Sequence, residues 1–519
     1  MSVNVPGRAT ALKGPAGHTA GIAIVAAVAA GALIAGAPLS VLVVGLGLVV
    51  VGVALAKPEL VTPAVLFLLF LDVPGVAVRK YGAPPLLAAL IIAALAIPVA
   101  NEALRGNRLR FCWPIGLVAA FAVVQLASTV ASREPSAALG HFVPFLLEGL
   151  LLAVLVLNAI RSVATLERVL WALLLAGACL GAVSLLQQVT GTFDKPYGGF
   201  ALVPVEFFRG IEPQARLSGP IGDPNYYAQI LVPLIPIGLI ALRGAQRRLR
   251  LVATGATLAA MGGLVLSYSR GGALALVLML ALAAAFRYVK GSQLVLIGLA
   301  VVVALAVVPN YRARVASIGS SLTGATEEKG SSKAADQAVR GRTGEMAAAA
   351  LVFSDHPVVG VGPGAFPLYY QQYIKRLGLE AHTSVKTGPN RGEEAQREAH
   401  NIFISIAAEL GLAGLAVFLA IICTAFAGLV RARRRCLDSD PRLARIATAM
   451  LIALAGYLIT GLFLTLAYER YFWVLVGVSG AVIQLARAPA PEPAPQPADG
   501  PRGRRPGSVR GRPIQPTGT

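Results

Sequence analysis

Residues 251–286 read LVATGATLAAMGGLVLSYSRGGALALVLMLALAAAF, a stretch of 36 residues in which Arg270 is the one Asp, Glu, Lys or Arg. On either side of Ser267-Tyr268-Ser269-Arg270-Gly271-Gly272 lies an apolar run near the roughly 20 residues that a helix needs to cross a bilayer. The stretch reads as two spanning helices, 251–267 and 271–286, joined by a tight polar turn. Outward from it the same pattern recurs, at 20–36, 39–56, 60–78, 84–100, 114–131, 143–158, 169–190, 226–242, 293–308, 400–430, 444–466 and 471–486. That makes fourteen runs, with twelve as the fallback, because Asp72 and Pro74 interrupt 60–78 and several runs are short. Composition agrees: 13% of residues are charged, where a soluble domain carries roughly 25%. An ordinary soluble enzyme is excluded, and the expected fold is an all-α polytopic membrane protein of about 12–14 transmembrane helices with a large, partly helical outer loop.

The net charge of +20 would suggest nucleic acid in a soluble protein, but here much of it sits in short loops between apolar runs, and no nucleic-acid partner follows. Alternate loops separate cleanly. One set, from Lys57 through Arg105, Arg161, Arg243 and Arg287 to the Arg431–Arg445 cluster, holds 18 Lys and Arg. The other holds 5: Arg79, Lys80, Arg133, Arg270 and Arg470. The positive-inside rule places the first set and both termini in the cytoplasm. The start of the chain, with Arg8, Lys13 and an apolar run ending Ala35-Gly36-Ala37, has some character of a signal peptide. A second apolar run follows at once, so a hairpin of spanning helices reads better. Cys112, Cys179, Cys423 and Cys436 show no paired spacing, which leaves no disulfide framework or zinc site.

The expected organisation is a cytoplasmic segment 1–19, transmembrane helices in 20–190, an outer loop 191–225, helices with the arginine hairpin in 226–308, a large outer loop 309–399, helices in 400–486 and a cytoplasmic tail 487–519. Loop 309–399 holds 11 Lys and Arg against 9 Asp and Glu and contains two helix-like pieces, about 335–353 and 364–377. Stretches around 319–333 and 384–397, rich in small and polar residues, read as mobile. The tail, rich in Pro, Arg and Gly, has almost nothing to bury and reads as disordered. Its Arg502, Arg504, Arg505, Arg510 and Arg512 suit a weak contact with anionic lipid or with a partner protein, although a solvated tail is favoured.

Unusual residues concentrate on the outer side. Arg270 is either a solvated turn residue or a guanidinium fork for phosphate oxygens, with Gly271 and Gly272 allowing close backbone approach to a ligand. His400 and Asn401 open the longest apolar run, where Asn is a favoured helix cap and an imidazole has a neutral form available to act as a base. Arg216, Arg340 and Arg342 are loop arginines whose ordinary fate is solvation; what favours function is their convergence on one side. The cluster Gly360-Val361-Gly362-Pro363-Gly364 lacks the lysine and the preceding strand of a phosphate loop and reads as a turn. Within the membrane, Glu148, Glu409 and Asp72 are the ionisable residues. Intramembrane carboxylates are functional candidates, and Glu409 would either line a cavity beneath His400 or pair with a neighbouring helix.

Taken together, Ser267 to Gly272, Gly341-Arg342, Asp355-His356-Pro357, Gly360 to Gly364, Ala399-His400-Asn401 and Glu409 to Gly414 resemble, in order and spacing, the O-antigen ligase and polymerase superfamily of bacterial membrane glycosyltransferases. The likeness covers roughly 210–430. One departure is Met346, where the family often has tryptophan. The resemblance implies a donor glycan on a polyprenyl diphosphate, a lipid or glycan acceptor, surrounding membrane lipids, polysaccharide-assembly proteins as partners, and an active site on the outer face of the cytoplasmic membrane. It implies no cofactor, no nucleotide sugar and no metal. Arg270, Arg216 and Arg342, with Arg340 beside them, would bind the diphosphate, His400 would be the catalytic base of an inverting transfer, and Asn401 and Glu409 would support the site. Three functions stay open: a ligase, a polymerase of lipid-linked repeat units, and a non-enzymatic permease or flippase for an anionic lipid. The scarcity of intramembrane acids and the absence of internal repeats weigh against the last.

Overall fold

A computed structural model describes residues 57–202, 205–206, 214–244, 246–289, 332–379, 398–465, 468–487 and 518, with the side chains of 205–206, 214–215 and 332–341 outside that set. Its helices are α1 (Val61–Phe70), α2 (Val73–Tyr81), α3 (Leu87–Ala93), α4 (Ala96–Leu104), α5 (Trp113–Ala131), α6 (Pro135–Phe145), α7 (Leu152–Ala159), α8 (Val163–Thr190), α9 (Pro224–Leu231), α10 (Leu234–Leu239), α11 (Arg247–Leu266), α12 (Arg270–Ala285), α13 (Ser332–Asp355), α14 (Phe366–Arg376), α15 (Ile402–Ser439), α16 (Pro441–Gly461) and α17 (Arg470–Leu485). A two-residue antiparallel pair, Val205–Glu206 with Gln214–Ala215, is the extended structure among the described residues.

Among the described residues, eight helical stretches are long and apolar enough to cross a membrane; the pair Pro58–Phe70 and Val73–Tyr81, bent by 51°, passes the same test when taken together, as a broken span or a re-entrant loop, and α12 and α17 are shorter apolar helices. The chain is a polytopic all-α membrane protein. Eleven of the fourteen apolar runs fall on these helices, and 20–36, 39–56 and 293–308 lie outside the described residues, as do most of 319–333 and 384–397 and nearly all of the tail. The helical pieces expected near 335–353 and 364–377 are α13 and α14.

Local chemistry sets the helix ends. Helices α9 and α16 begin at Asp-Pro, where the proline ring presets φ and has no N–H to leave unpaired. Asp223 Oδ1 accepts from the N–H groups of Asn225 (2.7 Å) and Tyr226 (3.0 Å), and Asp440 Oδ1 does the same for Arg442 and Leu443 (both 3.1 Å). Ser162 caps α8 by accepting from Thr165 N–H at 3.1 Å, and Gly191, at φ 64°, ends it. Between α6 and α7 a six-residue π-helical turn, Leu146–Leu151, follows Pro144 and carries Glu148. The centre of the bundle is aromatic: Trp473 packs edge-on against Phe145 (5.1 Å) and Phe472 (4.9 Å), and Phe121 lies 5.8 Å from it.

The interruption that matters most lies in α15, where Gly411 takes φ 66°, ψ −164° and breaks the helix. The chain segment after α13 runs alongside that break. Val361 N–H donates to Ala408 O (3.1 Å) and Gly362 N–H to Glu409 O (2.9 Å), while Leu412 N–H donates back to Pro357 O (2.7 Å) and Ala413 N–H to Val358 O (3.4 Å). Carbonyls freed by the broken helix are thus satisfied by a second segment, as burial demands. Ser128 of α5 sits between both sides, its single O–H shared between Val359 O (2.6 Å) and Glu409 O (2.9 Å).

Candidate functional site

The arginine turn is built by its serines. Ser267 follows the last turn of α11, Tyr268 takes φ 51°, and Ser269 caps α12 by accepting from Gly272 N–H at 3.3 Å. Arg270 is therefore the first residue of α12. The glycines after it do other work than the sequence suggested. A Cβ on Gly272 would stand 2.8 Å from Leu264 Cδ1 and 3.0 Å from Ala228 Cβ, and one on Gly271 would stand 3.2 Å from Phe463. They let α12 pack against its neighbours, which replaces the expectation of close backbone approach to a ligand.

Arg216 is 4% exposed and is tied to the same turn. Its Nε donates to Ser267 O at 3.1 Å and its Nη2 to Asn225 Oδ1 at 3.0 Å, so it joins the arginine turn to the start of α9. Arg342, on α13, and Arg216 both lie close enough to Arg270 for their charges to act on its guanidinium. Three segments distant in sequence thus converge on one cationic centre. Arg340 lies on α13, with its side chain outside the described residues.

His400 stands immediately before α15 in a left-handed backbone conformation, φ 47°. A non-glycine residue there is uncommon and stays only where the surroundings hold it. Asn401 is the cap: its Oδ1 accepts from Phe403 N–H (2.9 Å) and Ile404 N–H (3.1 Å), and its Nδ2 donates to Leu462 O (3.2 Å). This leaves the imidazole to project beside the helix start. Its Nε2 lies 3.3 Å from the carboxylate of Glu345, which is 2% exposed while the imidazole is 27% exposed. Glu345 was not among the residues singled out from sequence. Its signal was present nonetheless, since it follows Arg342 by three residues and so shares its helix face.

Glu398 closes the other flank. Its carboxylate accepts from the hydroxyls of Tyr226 and Thr465. Burial pushes its carboxyl up to about 7, while the Thr465 hydrogen bond pulls the other way.

Glu409 belongs to the scaffold. Its carboxylate accepts from Tyr468 Oη at 2.7 Å and from the backbone N–H groups of Gly364 and Phe366. Of the two readings, the pairing one is close: the partners are Tyr468, the loop residue Gly364 and the first residue of α14, Phe366. It holds the glycine turn, where a Cβ on Gly360 would stand 2.2 Å from the Glu409 carbonyl carbon and one on Gly364 2.1 Å from His141. Asp72 and Glu148, the remaining intramembrane acids, pair with Arg470 at 2.7 Å and 3.1 Å, and Asp72 also with Arg79 at 2.6 Å.

Arg216 and Arg342 thus lie within reach of the Arg270 charge, and Arg342 shares α13 with Glu345, the buried carboxylate beside the His400 imidazole. No curated protein matches the chain. Residues 255–419 match the family model described as O-Antigen ligase, and this matched segment carries Arg270, Arg342, Glu345 and His400.

Proposed function

We propose that the protein transfers a glycan from a polyprenyl diphosphate to an acceptor hydroxyl on the outer face of the cytoplasmic membrane of a bacterium, in the manner of a ligase. The family match supports a membrane enzyme of ligase or polymerase type. The observation that carries the transferase reading is the nearness of Arg216 and Arg342 to Arg270, with Arg342 on the same helix as Glu345, the carboxylate beside His400. His400 takes the proton from the acceptor hydroxyl. The acceptor oxygen forms a bond to the anomeric carbon as the bond from that carbon to the diphosphate breaks, with inversion. The leaving electron pair goes to the diphosphate, where guanidiniums offset the growing charge. The buried Glu345 carboxylate steadies the ring and stabilises the imidazolium, as a positioning residue. Arginines supply the charge compensation for which other transferases use a divalent cation. Tethering of the lipid-linked reactants in one bilayer adds proximity.

A polymerase, in which a second lipid-linked repeat is the acceptor, would use the same centre. Comparing lipid-linked and surface glycans from cells carrying the wild type or His400→Ala decides between them. Full-length chains on the carrier with an unmodified acceptor mean a ligase, and single repeat units on the carrier mean a polymerase. Retained transfer by purified His400→Ala would remove the base from this mechanism. A permease tolerates His400→Gln, and full function in that variant would favour a non-enzymatic role.

A further inference from the structure

Beside the site lies a cavity of about 240 Å³ lined by Asp72, Arg79, Ile221, Tyr226, Ile230, Glu469, Arg470 and Tyr471. All of these residues lie outside the segment 255–419. Arg79 and Glu469 form an exposed rim, while Asp72, Arg470 and Tyr471 form a buried floor. The floor is unusual in its hydrogen bonding. Arg470 uses Nη1 for Glu148 and Nη2 for Asp72, yet its buried Nε meets no well-aligned hydrogen-bond partner among the described residues, and the buried Tyr471 hydroxyl has Arg470 alone as its hydrogen-bonding neighbour there. Buried polar groups left this way are costly and call for an occupant.

The lining chooses among occupants. Asp72, Glu469 and the adjoining Glu148 outnumber Arg79 and Arg470, so an anion such as a phosphate headgroup is disfavoured. Arg470 Nε only donates, carboxylates only accept, and a tyrosine hydroxyl does both. A ligand that satisfies all of them carries several oxygens, each able to accept and donate: a polyhydroxylated neutral molecule. The rings of Tyr226 and Tyr471 and the side chains of Ile221 and Ile230 offer apolar surface to its C–H faces. A volume of about 240 Å³ is about eight times the roughly 30 Å³ of one liquid water and falls short of the roughly 300 Å³ at which drug-sized pockets begin. One sugar ring fits that scale; an oligosaccharide does not.

We propose that this cavity is a monosaccharide subsite, which binds one neutral sugar ring of the acceptor or of the donor glycan. The proposal rests on the reading of the protein as a glycan transferase. Tyr226 links it to the reaction centre, since this wall residue donates to Glu398, two residues before His400.

Saturation-transfer NMR on the full chain in detergent, with D-glucose, D-galactose and N-acetyl-D-glucosamine as probes, tests it. At least one sugar should receive saturation from the wild type. Tyr471→Phe and Glu469→Gln, which leave the Asp72–Arg79–Arg470–Glu148 pairs intact, should weaken that binding by at least about fivefold, the worth of one hydrogen bond. A wild type that binds none of the three, or variants of unchanged thermal stability that bind as well as it does, would overturn the subsite. In transfer assays the same variants should raise KM for the acceptor if the ring is the acceptor's, and for the donor if it is the donor's. A sugar signal lost in the variants, in a protein whose wild type shows no transfer, keeps the subsite and removes the transferase reading. Normal transfer with no sugar effect does the reverse.

Discussion

At the scale of single residues the proposed mechanism separates groups that would touch substrate from groups that would hold them. His400→Ala should lose transfer by roughly 10²–10⁴-fold, the usual worth of a general base, with donor binding kept. Glu345→Gln should lower kcat more than it changes either KM. It should also move the low-pH limb of the kcat profile toward lower pH, because a carboxylate at 3.3 Å favours imidazolium. A profile that does not move would make Glu345 a packing residue. Arg270→Lys keeps the charge but loses the planar fork, so donor KM should rise in steady-state kinetics. Glu398 reports differently. Its carboxyl titrates near 7 in the folded protein against an ordinary 4.5, so between these values the unfolded chain has released its proton while the folded chain still holds it. Folded stability therefore falls as pH rises through that window and levels off above it. Thermal unfolding of the detergent-purified protein at pH 5 and pH 8 should show a drop in Tm that Glu398→Gln flattens.

Among the elements, the glycine turn and the broken helix hold each other in place. Gly360 and Gly411 both have positive φ, and a Cβ on either would stand 2.2 Å from the Glu409 carbonyl carbon or 2.3 Å from Val358 O. Gly378 has φ 68° as well, yet a Cβ there would meet nothing within 4 Å. Gly378→Ala should therefore cost only the backbone strain, about 1–2 kcal/mol. Gly360→Ala and Gly411→Ala should cost clearly more, through overpacking against backbone that cannot yield, in a thermal shift measurement. This part of the site was half legible. Gly360 to Gly364 reads as a turn from composition alone. What it turns against was hidden, because its partner, Ala408 to Ala413, lies some fifty residues on in an apolar run where glycine is ordinary. Nothing in E-L-G-L-A-G marks which glycine breaks the helix, since that is decided by a contact distant in sequence. For the same reason the glycines after Arg270 were assigned to a ligand, when helix neighbours explain them.

For the whole molecule, apolar length carried the fold: eleven runs read from hydrophobicity fall on helices because lipid forces each backbone to satisfy itself locally. Charge counting was less complete. Arg79 and Arg470 entered the loop tally as topology markers, whereas in the fold they pair with Asp72 and Glu148, partners up to about 400 residues away that periodicity cannot connect. Sidedness has a direct check in a cysteine-less background, in which Cys112, Cys179, Cys423 and Cys436 are replaced. A membrane-impermeant maleimide applied to intact spheroplasts should label Arg133→Cys and spare Arg434→Cys, both at exposed positions; the opposite pattern would invert the molecule and move the reaction to the cytoplasm. The seam at Gly411 bears on how such a molecule turns over. Four backbone hydrogen bonds stitch the chain after α13 to the middle of a membrane helix, so the helix bearing Arg342 and Glu345 cannot swing open like a hinged cover without unpicking them. Reactants would then load by sliding sideways out of the lipid into a mouth that is already shaped, and selection would rest on which lipid-borne chain can thread that entrance, with no closing step to discriminate afterwards.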